Sequence, residues 1–210
     1  MIDFADRWIN IDASARCSLE CPKCMRQSLR ANGIDIPGAD MTVSQFEKIV
    51  KHFAGVSFCG QISDPIFSPN LIEFLKMCKQ YNKGCEVRTA ASQKPEAWYS
   101  QAFQSNTKAK WVFGIDGLPH ESFVYRVNQD GEKLFEMMLL AKTFGIRAVW
   151  QYIVFRYNED HIEQAKLLAQ QHNIEFELHF SARWNRNNAY DWYRPTQSQH
   201  RIMAKDDRKF

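Results

Sequence analysis

Two apolar periods alternate along the chain, and the switches between them lay out its elements. Trp8-Ile9-Asn10-Ile11-Asp12 alternates as a strand does. Residues 42–54 place Phe46, Ile49, Val50 and Phe53 at i, i+3, i+4 and i+7, one face of a helix, with Thr42 or Ser44 as its N-cap. Val56 to Cys59 reads as a second strand. Ser68-Pro69 opens a second helix, with Leu71, Phe74, Leu75 and Cys78 as its stripe and Gly84 as its end. Cys85 to Thr89 is a third strand. A third helix follows Pro95, with Trp98 and Phe103 as core contacts. Trp111 to Ile115 is a fourth strand, ended by Asp116-Gly117, and residues 131–144 form a helix that Gly145 stops. Ala148 to Phe155, a helix over 159–172 with Ile162, Ala165, Leu168 and Ala169 inward, and Phe176 to Phe180 complete the series.

Six strands alternating with five helices predict an α/β fold of parallel strands joined by right-handed crossovers. Six units are too few to close a regular eight-stranded barrel, which leaves an open curved sheet or a partial barrel. Residues 25–41 read as a long loop.

Composition narrows the class. With 210 residues, 45% hydrophobic and 24% charged, the chain can bury the core of one domain, so a disordered chain is excluded. Apolar runs are only a few residues long, which argues against a membrane span, and Asp3, Asp6 and Arg7 interrupt any secretory signal pattern. The charge of +3 is unevenly divided. Residues 183–210 hold seven Lys or Arg against three Asp, or +4, leaving −1 for the rest. The division expected is therefore a core over 1–182 and a basic tail over 183–210. The tail carries Trp184, Tyr190, Trp192 and Tyr193, which suit either stacking on bases or covering the open bottom or an edge of the sheet.

Six cysteines stand at 17, 21, 24, 59, 78 and 85. A chain of this size has no need of a disulfide framework, so a reducing cytoplasmic compartment is expected. Cys17, Cys21 and Cys24 have the spacing C-x3-C-x2-C in the loop after the first strand, at the strand ends where α/β proteins place their sites. Three nearby thiolates suit an iron–sulfur cluster or another soft metal. A zinc site would need a fourth ligand, and no Cys or His occurs between Cys24 and His52. Cys59, Cys78 and Cys85 read as core.

This segment resembles the cluster loop of the radical S-adenosylmethionine superfamily. The resemblance implies a partial (β/α)6 barrel: a parallel curved sheet with outer helices. It implies that Cys17, Cys21 and Cys24 hold a [4Fe-4S] cluster whose open iron binds S-adenosylmethionine, and that an external one-electron reductant, flavodoxin- or ferredoxin-like, drives its cleavage to a hydrogen-abstracting 5′-deoxyadenosyl radical. Lys23 stands where relatives often carry an aromatic residue. Gly60-Gln61-Ile62-Ser63-Asp64-Pro65 looks like a variant of the Gly-Gly-Glu-Pro segment that holds the methionine amino group. A capping turn before Pro65 is the other reading of Asp64. Thr89 alone matches the Thr-Asn-Gly end of the third strand.

Gly114-Ile115-Asp116-Gly117 followed by Tyr125-Arg126 is similar to the Ser-Leu-Asp-Gly … Arg pattern of the peptide-modifying branch, with glycine in place of serine. The resemblance makes Arg126 a partner for the methionine carboxylate; a surface salt bridge is the other reading. Gln151, polar among apolar neighbours, should face the barrel mouth or find a buried partner. Gly60, Ser63, Asp64, Thr89, Asp116, Arg126 and Gln151 are thus the expected cofactor contacts. No catalytic residue stands out. With no cysteine after Cys85, a further cysteine-bound cluster of the kind found in peptide-modifying relatives is not expected. The substrate expected is a peptide or protein side chain. A nucleoside or nucleic acid is the alternative, and a non-catalytic iron–sulfur or zinc-binding module is a third reading.

Overall fold

The computed structural model describes residues 5–181 and 191–201. Six strands, β1 (Trp8–Asn10), β2 (Gly55–Cys59), β3 (Gly84–Thr89), β4 (Lys110–Gly114), β5 (Arg147–Val154) and β6 (Glu175–Phe180), form one sheet in chain order. Every pairing is parallel. The sheet curves without closing, an α/β partial barrel. The helices are α1 (Met25–Ala31), α2 (Val43–Val50), α3 (Leu71–Gln80), α4 (Glu96–Ser105), α5 (Gly131–Thr143) and α6 (Ile162–Gln171). Among the described residues no helix is long and apolar enough to cross a membrane.

Aromatic side chains lock the helices to one face of the sheet. Phe103 of α4 meets Trp111 of β4 edge-on at 4.9 Å, and Phe135 of α5 meets Trp150 of β5 at 5.3 Å. Phe46 of α2 stacks on Phe74 of α3 at 4.4 Å. Successive strand residues point to opposite faces, and paired residues of neighbouring strands share one. Ser57, Glu86 and Lys110 therefore lie together on the other, inner face, as do Gln151 and Glu177. Lys110 Nζ joins Glu177 at 2.9 Å and Glu86 at 3.4 Å, so the inner face carries a charge ladder instead of an apolar core. At the amino ends of β2 and β3, the Trp8 indole lies across Gly55 and Gly84. A Cβ on either glycine would come within 2.5 Å and 2.3 Å of the ring.

Several boundaries differ from the pattern-based expectation. The loop 25–41 contains α1, which has no apolar stripe to announce it; its one buried residue is Arg26. The second helix expected, α3, begins at Leu71, and neither Ser68 nor Pro69 caps it. Asn70 occupies the N-cap position while its side chain donates to Met41 O instead. That helix ends at Gln80, with Asn82 just beyond its cap in the left-handed region at φ 51°, and Gly84 already belongs to β3. The last helix starts at Ile162, later than 159, because the side chain of Asn158 is bonded into the preceding turn through Phe155 N and Ile153 O. Thr42 does cap α2, in a capping box with Gln45. Tyr99, fully buried, is a core contact of α4 beside Phe103, whereas Trp98 is only partly buried.

Of the tail, residues 191–201 are described; Trp184 and Tyr190 lie outside the described residues. Tyr193 packs edge-on against Tyr125 at 5.2 Å, beyond the carboxyl end of β4, and against Phe155, beyond that of β5. This segment therefore covers the carboxyl-end side of the sheet and not the bottom expected of it. The amino end is Trp8's.

Candidate functional site

Cys17, Cys21 and Cys24 lie on the connection from β1 to α1. A turn closes between them, with Cys24 N donating to Cys21 O at 2.9 Å, and Cys24 is the N-cap residue of α1. Many contacts fasten this connection. Glu20 N donates to Val127 O, Asn128 Nδ2 to Ser18 O, and Asp64 N to Arg16 O. Arg26 Nη1 donates to Ala15 O at 2.6 Å and to Ile62 O at 3.2 Å. Lys23 Nζ reaches Asp191 at 2.7 Å, tying the loop to the described part of the tail.

All three thiols line one cavity of about 190 Å³, bounded also by residues at the carboxyl ends of β2, β3, β4 and β5. Cys17, Cys21 and Cys24 are not in disulfides. Burial pushes the Cys17 thiol up to about 12, with Asp64 adding to the shift and the Leu19 N–H opposing it. Burial likewise raises Cys21, against the pull of Arg126. Among the described residues, no three His, Cys, Asp or Glu side chains are drawn close enough together to hold a metal ion. Three thiols converging on one cavity is nevertheless the donor chemistry of an iron–sulfur group. Cys59, expected in the core, is only partly buried and lines the same cavity, because the last residue of β2 points to the inner face. Cys78 and Cys85 are buried as expected.

The segment after β2 is a tight turn clamped from β1. The Asp12 carboxylate accepts from Gln61 N at 3.0 Å and from Ser63 Oγ at 2.7 Å. A Cβ at Gly60 would sit 1.9 Å from Ser63 O, so only glycine permits this turn. Asp64 borders the cavity, but its two oxygens already accept from Thr89 Oγ1, Ala90 N, Ala91 N and Ile66 N at 2.8–3.2 Å. It caps the single-turn helix Pro65–Phe67 and binds it to the end of β3. Thr89 is held by the same bond.

Asp116 is fully buried and is not among the residues bounding the cavity. Its Oδ1 accepts from Ile153 N at 3.0 Å and its Oδ2 from Arg126 Nε at 2.6 Å. Arg126 does border the cavity, beside Cys21. Burial opposes its charge, but Asp116 and Cys21 together hold it firmly protonated. Gly114 gives it room: a Cβ there would lie 3.3 Å from Arg126 Nη2. Gln129, unmarked in the sequence, joins β3 to β4 by donating from Nε2 to Ala90 O and Gly114 O.

Gln151 borders the cavity and also has a partner, accepting from Arg88 Nη1 at 3.0 Å. Arg88 itself is held by Glu86, with Nε 2.6 Å from its carboxylate. Arg26, Asp12, Cys59 and Arg88 escape a reading by motif. Only Arg88 leaves a trace, in the alternation of buried and half-buried residues along β3.

No family model matches the chain, and neither does any curated protein. Solved structures do. The Streptococcus suis protein SuiB aligns with 92% of this chain and 43% of its own at TM-score 0.70 and 12% identity. Native anSMEcpe with bound S-adenosylmethionine aligns with 89% of this chain and 55% of its own at TM-score 0.65 and 16% identity. Methylornithine synthase (PylB) aligns with 84% and 53% at TM-score 0.61 and 16% identity. The chain thus spans about half the length of the structures it matches, or less. At such identities the likeness is one of fold.

Proposed function

We propose that this chain is a radical S-adenosylmethionine enzyme that modifies a peptide or protein side chain. The observation that carries the reading is the gathering of Cys17, Cys21 and Cys24 around one cavity at the carboxyl ends of the parallel strands β2 to β5. The fold it shares with SuiB and anSMEcpe, both solved with S-adenosylmethionine bound, supports the cofactor. SuiB bound to its precursor peptide SuiA and anSMEcpe bound to the Kp18Cys peptide support the substrate class.

The cluster, when bound, supplies the electron that cleaves S-adenosylmethionine to a hydrogen-abstracting 5′-deoxyadenosyl radical. The chain's own residues position and enclose. Cys17, Cys21 and Cys24 would hold the [4Fe-4S] cluster. Arg126, held at Nε by Asp116, keeps its Nη donors for the methionine carboxylate, a match of fork to carboxylate. Gly60 and Ser63 shape the turn against which the methionine end rests. Asp64 and Thr89, themselves in the cavity wall, clamp that turn to the end of β3, and Gln151 faces the substrate side with Arg88. Residues 191–201, docked through Tyr193 and the Lys23–Asp191 bridge, help to keep water out.

Anaerobic reconstitution with iron and sulfide tests the reading. A [4Fe-4S] spectrum that changes on adding S-adenosylmethionine, and 5′-deoxyadenosine formation after reduction, are expected. Cys21→Ser should lose the cluster and keep the fold. A colourless zinc complex, or no 5′-deoxyadenosine from the reduced protein, would overturn it. Incubation with peptide and nucleoside pools and mass analysis separates the two substrate classes.

A further inference from the structure

Three arginines border the cavity, and two of them are neutralised. Arg126 faces Asp116, and Arg88 faces Glu86. Arg26 is different. It is 8% exposed, yet it makes no ion pair among the described residues, and its Nε is buried without a hydrogen-bond partner. A buried guanidinium without a counter-charge is strongly unfavourable, and an unmatched N–H beside it adds to the cost. Such a group in a cavity wall points to an anion in the cavity.

The rest of the side chain indicates which anion. Arg26 stands two residues after Cys24. Its Nη1 grips Ala15 O, two residues before Cys17, and also Ile62 O in the turn after β2. The guanidinium therefore brackets the cysteine segment from both ends and ties it to the wall across from it in sequence.

We propose that Arg26 is the built-in counter-charge of the thiolate site: its guanidinium holds the negative charge of a three-thiolate iron–sulfur group and sets how readily that group accepts an electron. The assignment rests on the cluster reading above. A positive charge close to a cluster favours its reduced form, so Arg26 raises the reduction potential.

The test uses the full chain, reconstituted anaerobically, as wild type, Arg26→Lys and Arg26→Gln. Iron and sulfide content, circular dichroism, the midpoint potential and S-adenosylmethionine affinity are measured for each. Arg26→Gln should keep a donor for the two carbonyls, assemble the cluster and show a more negative midpoint potential. Arg26→Lys should stay near wild type. If Arg26→Gln does not fold, Arg26→Met, which keeps the stem and drops the charge, replaces it and should show the same negative shift. A wild type that assembles no cluster overturns the cluster reading itself. A cluster whose potential is the same in Arg26→Gln as in wild type overturns the role of Arg26 alone. So does an unchanged potential with tenfold weaker S-adenosylmethionine binding, which would give the guanidinium to the ligand's carboxylate.

Discussion

Arg126 Nε lies 2.6 Å from Oδ2 of Asp116, a residue with no exposed surface. The other carboxylate oxygen is occupied by Ile153 N, and Tyr157 OH donates to the Asp116 carbonyl. Asp116 is thus a holder of Arg126 and of the start of the β5 carboxyl end. Asp116→Asn leaves a buried guanidinium unbalanced and should lower stability by about 3–5 kcal/mol. Adding Arg126→Gln to that variant should restore part of the loss. Denaturant unfolding of both single variants and the double variant measures the coupling, and additive losses would mean that the two residues act independently.

Gly60 and Gly114 are steric requirements of the cavity wall. Gly60→Ala places a methyl group 1.9 Å from the Ser63 carbonyl oxygen, so the turn must open. Gly114→Ser presses on Arg126 Nη2, because a Cβ there would already lie 3.3 Å from it. Both should weaken S-adenosylmethionine binding by about tenfold, or 1.4 kcal/mol, in calorimetric titration of the reconstituted protein. Wild-type affinity in Gly60→Ala would show that the turn does not shape the ligand's site.

The inner-face ladder makes a pH-dependent prediction. Burial works to raise Glu86 and Glu177, yet Arg88 and Ser57 hold the first below its usual range, and Lys110 and His179 the second. A depressed folded pKa gives stability above the unfolded value that is lost as pH falls through the folded one. Lys110→Met should therefore destabilise by about 1–3 kcal/mol at pH 7, where two carboxylates lose their shared partner, and by less near pH 4. Thermal unfolding at both pH values checks this. An equal deficit at the two would assign the effect to packing.

Glu159 fastens the tail segment. Its carboxylate accepts from Thr196 N at 2.8 Å, Gln197 N at 3.1 Å and His200 Nδ1 at 3.2 Å. Burial would raise its pKa, but the bonds from Thr196, Gln197 and His200 together lower it. The anchorage is then complete above about 4.5, the usual carboxylate value, and is released as pH falls below it. Glu159→Gln at neutral pH should mimic that release, and trypsin should cut faster after Arg201. Cleavage at the wild-type rate would place the anchorage elsewhere, at Tyr193 or Asp191.

Much of this architecture could be read from residue order. Switching apolar periods mark strands and helices because each element must bury one face, and alternation with short connections favours parallel pairing. The helix α1 was invisible for the same reason inverted: its buried residue is an arginine. The cysteine spacing singled out Cys17, Cys21 and Cys24, and the glycine at 60 and the arginine at 126 stood out by motif.

The sequence by itself determined the order of the elements, the α/β class and the thiol trio, since these depend on local period and spacing. Only the tertiary structure decided which acids hold the frame together and which charge lacks a partner. Asp64 and Asp116 look alike in a motif, but one is saturated by the end of β3 and the other by Arg126 and β5. Arg26 and Cys59 acquire their places only when loops 30 or more residues apart meet around one cavity. Hydrogen-bond saturation and charge balance belong to whole neighbourhoods, and neighbourhoods exist only once the chain has folded.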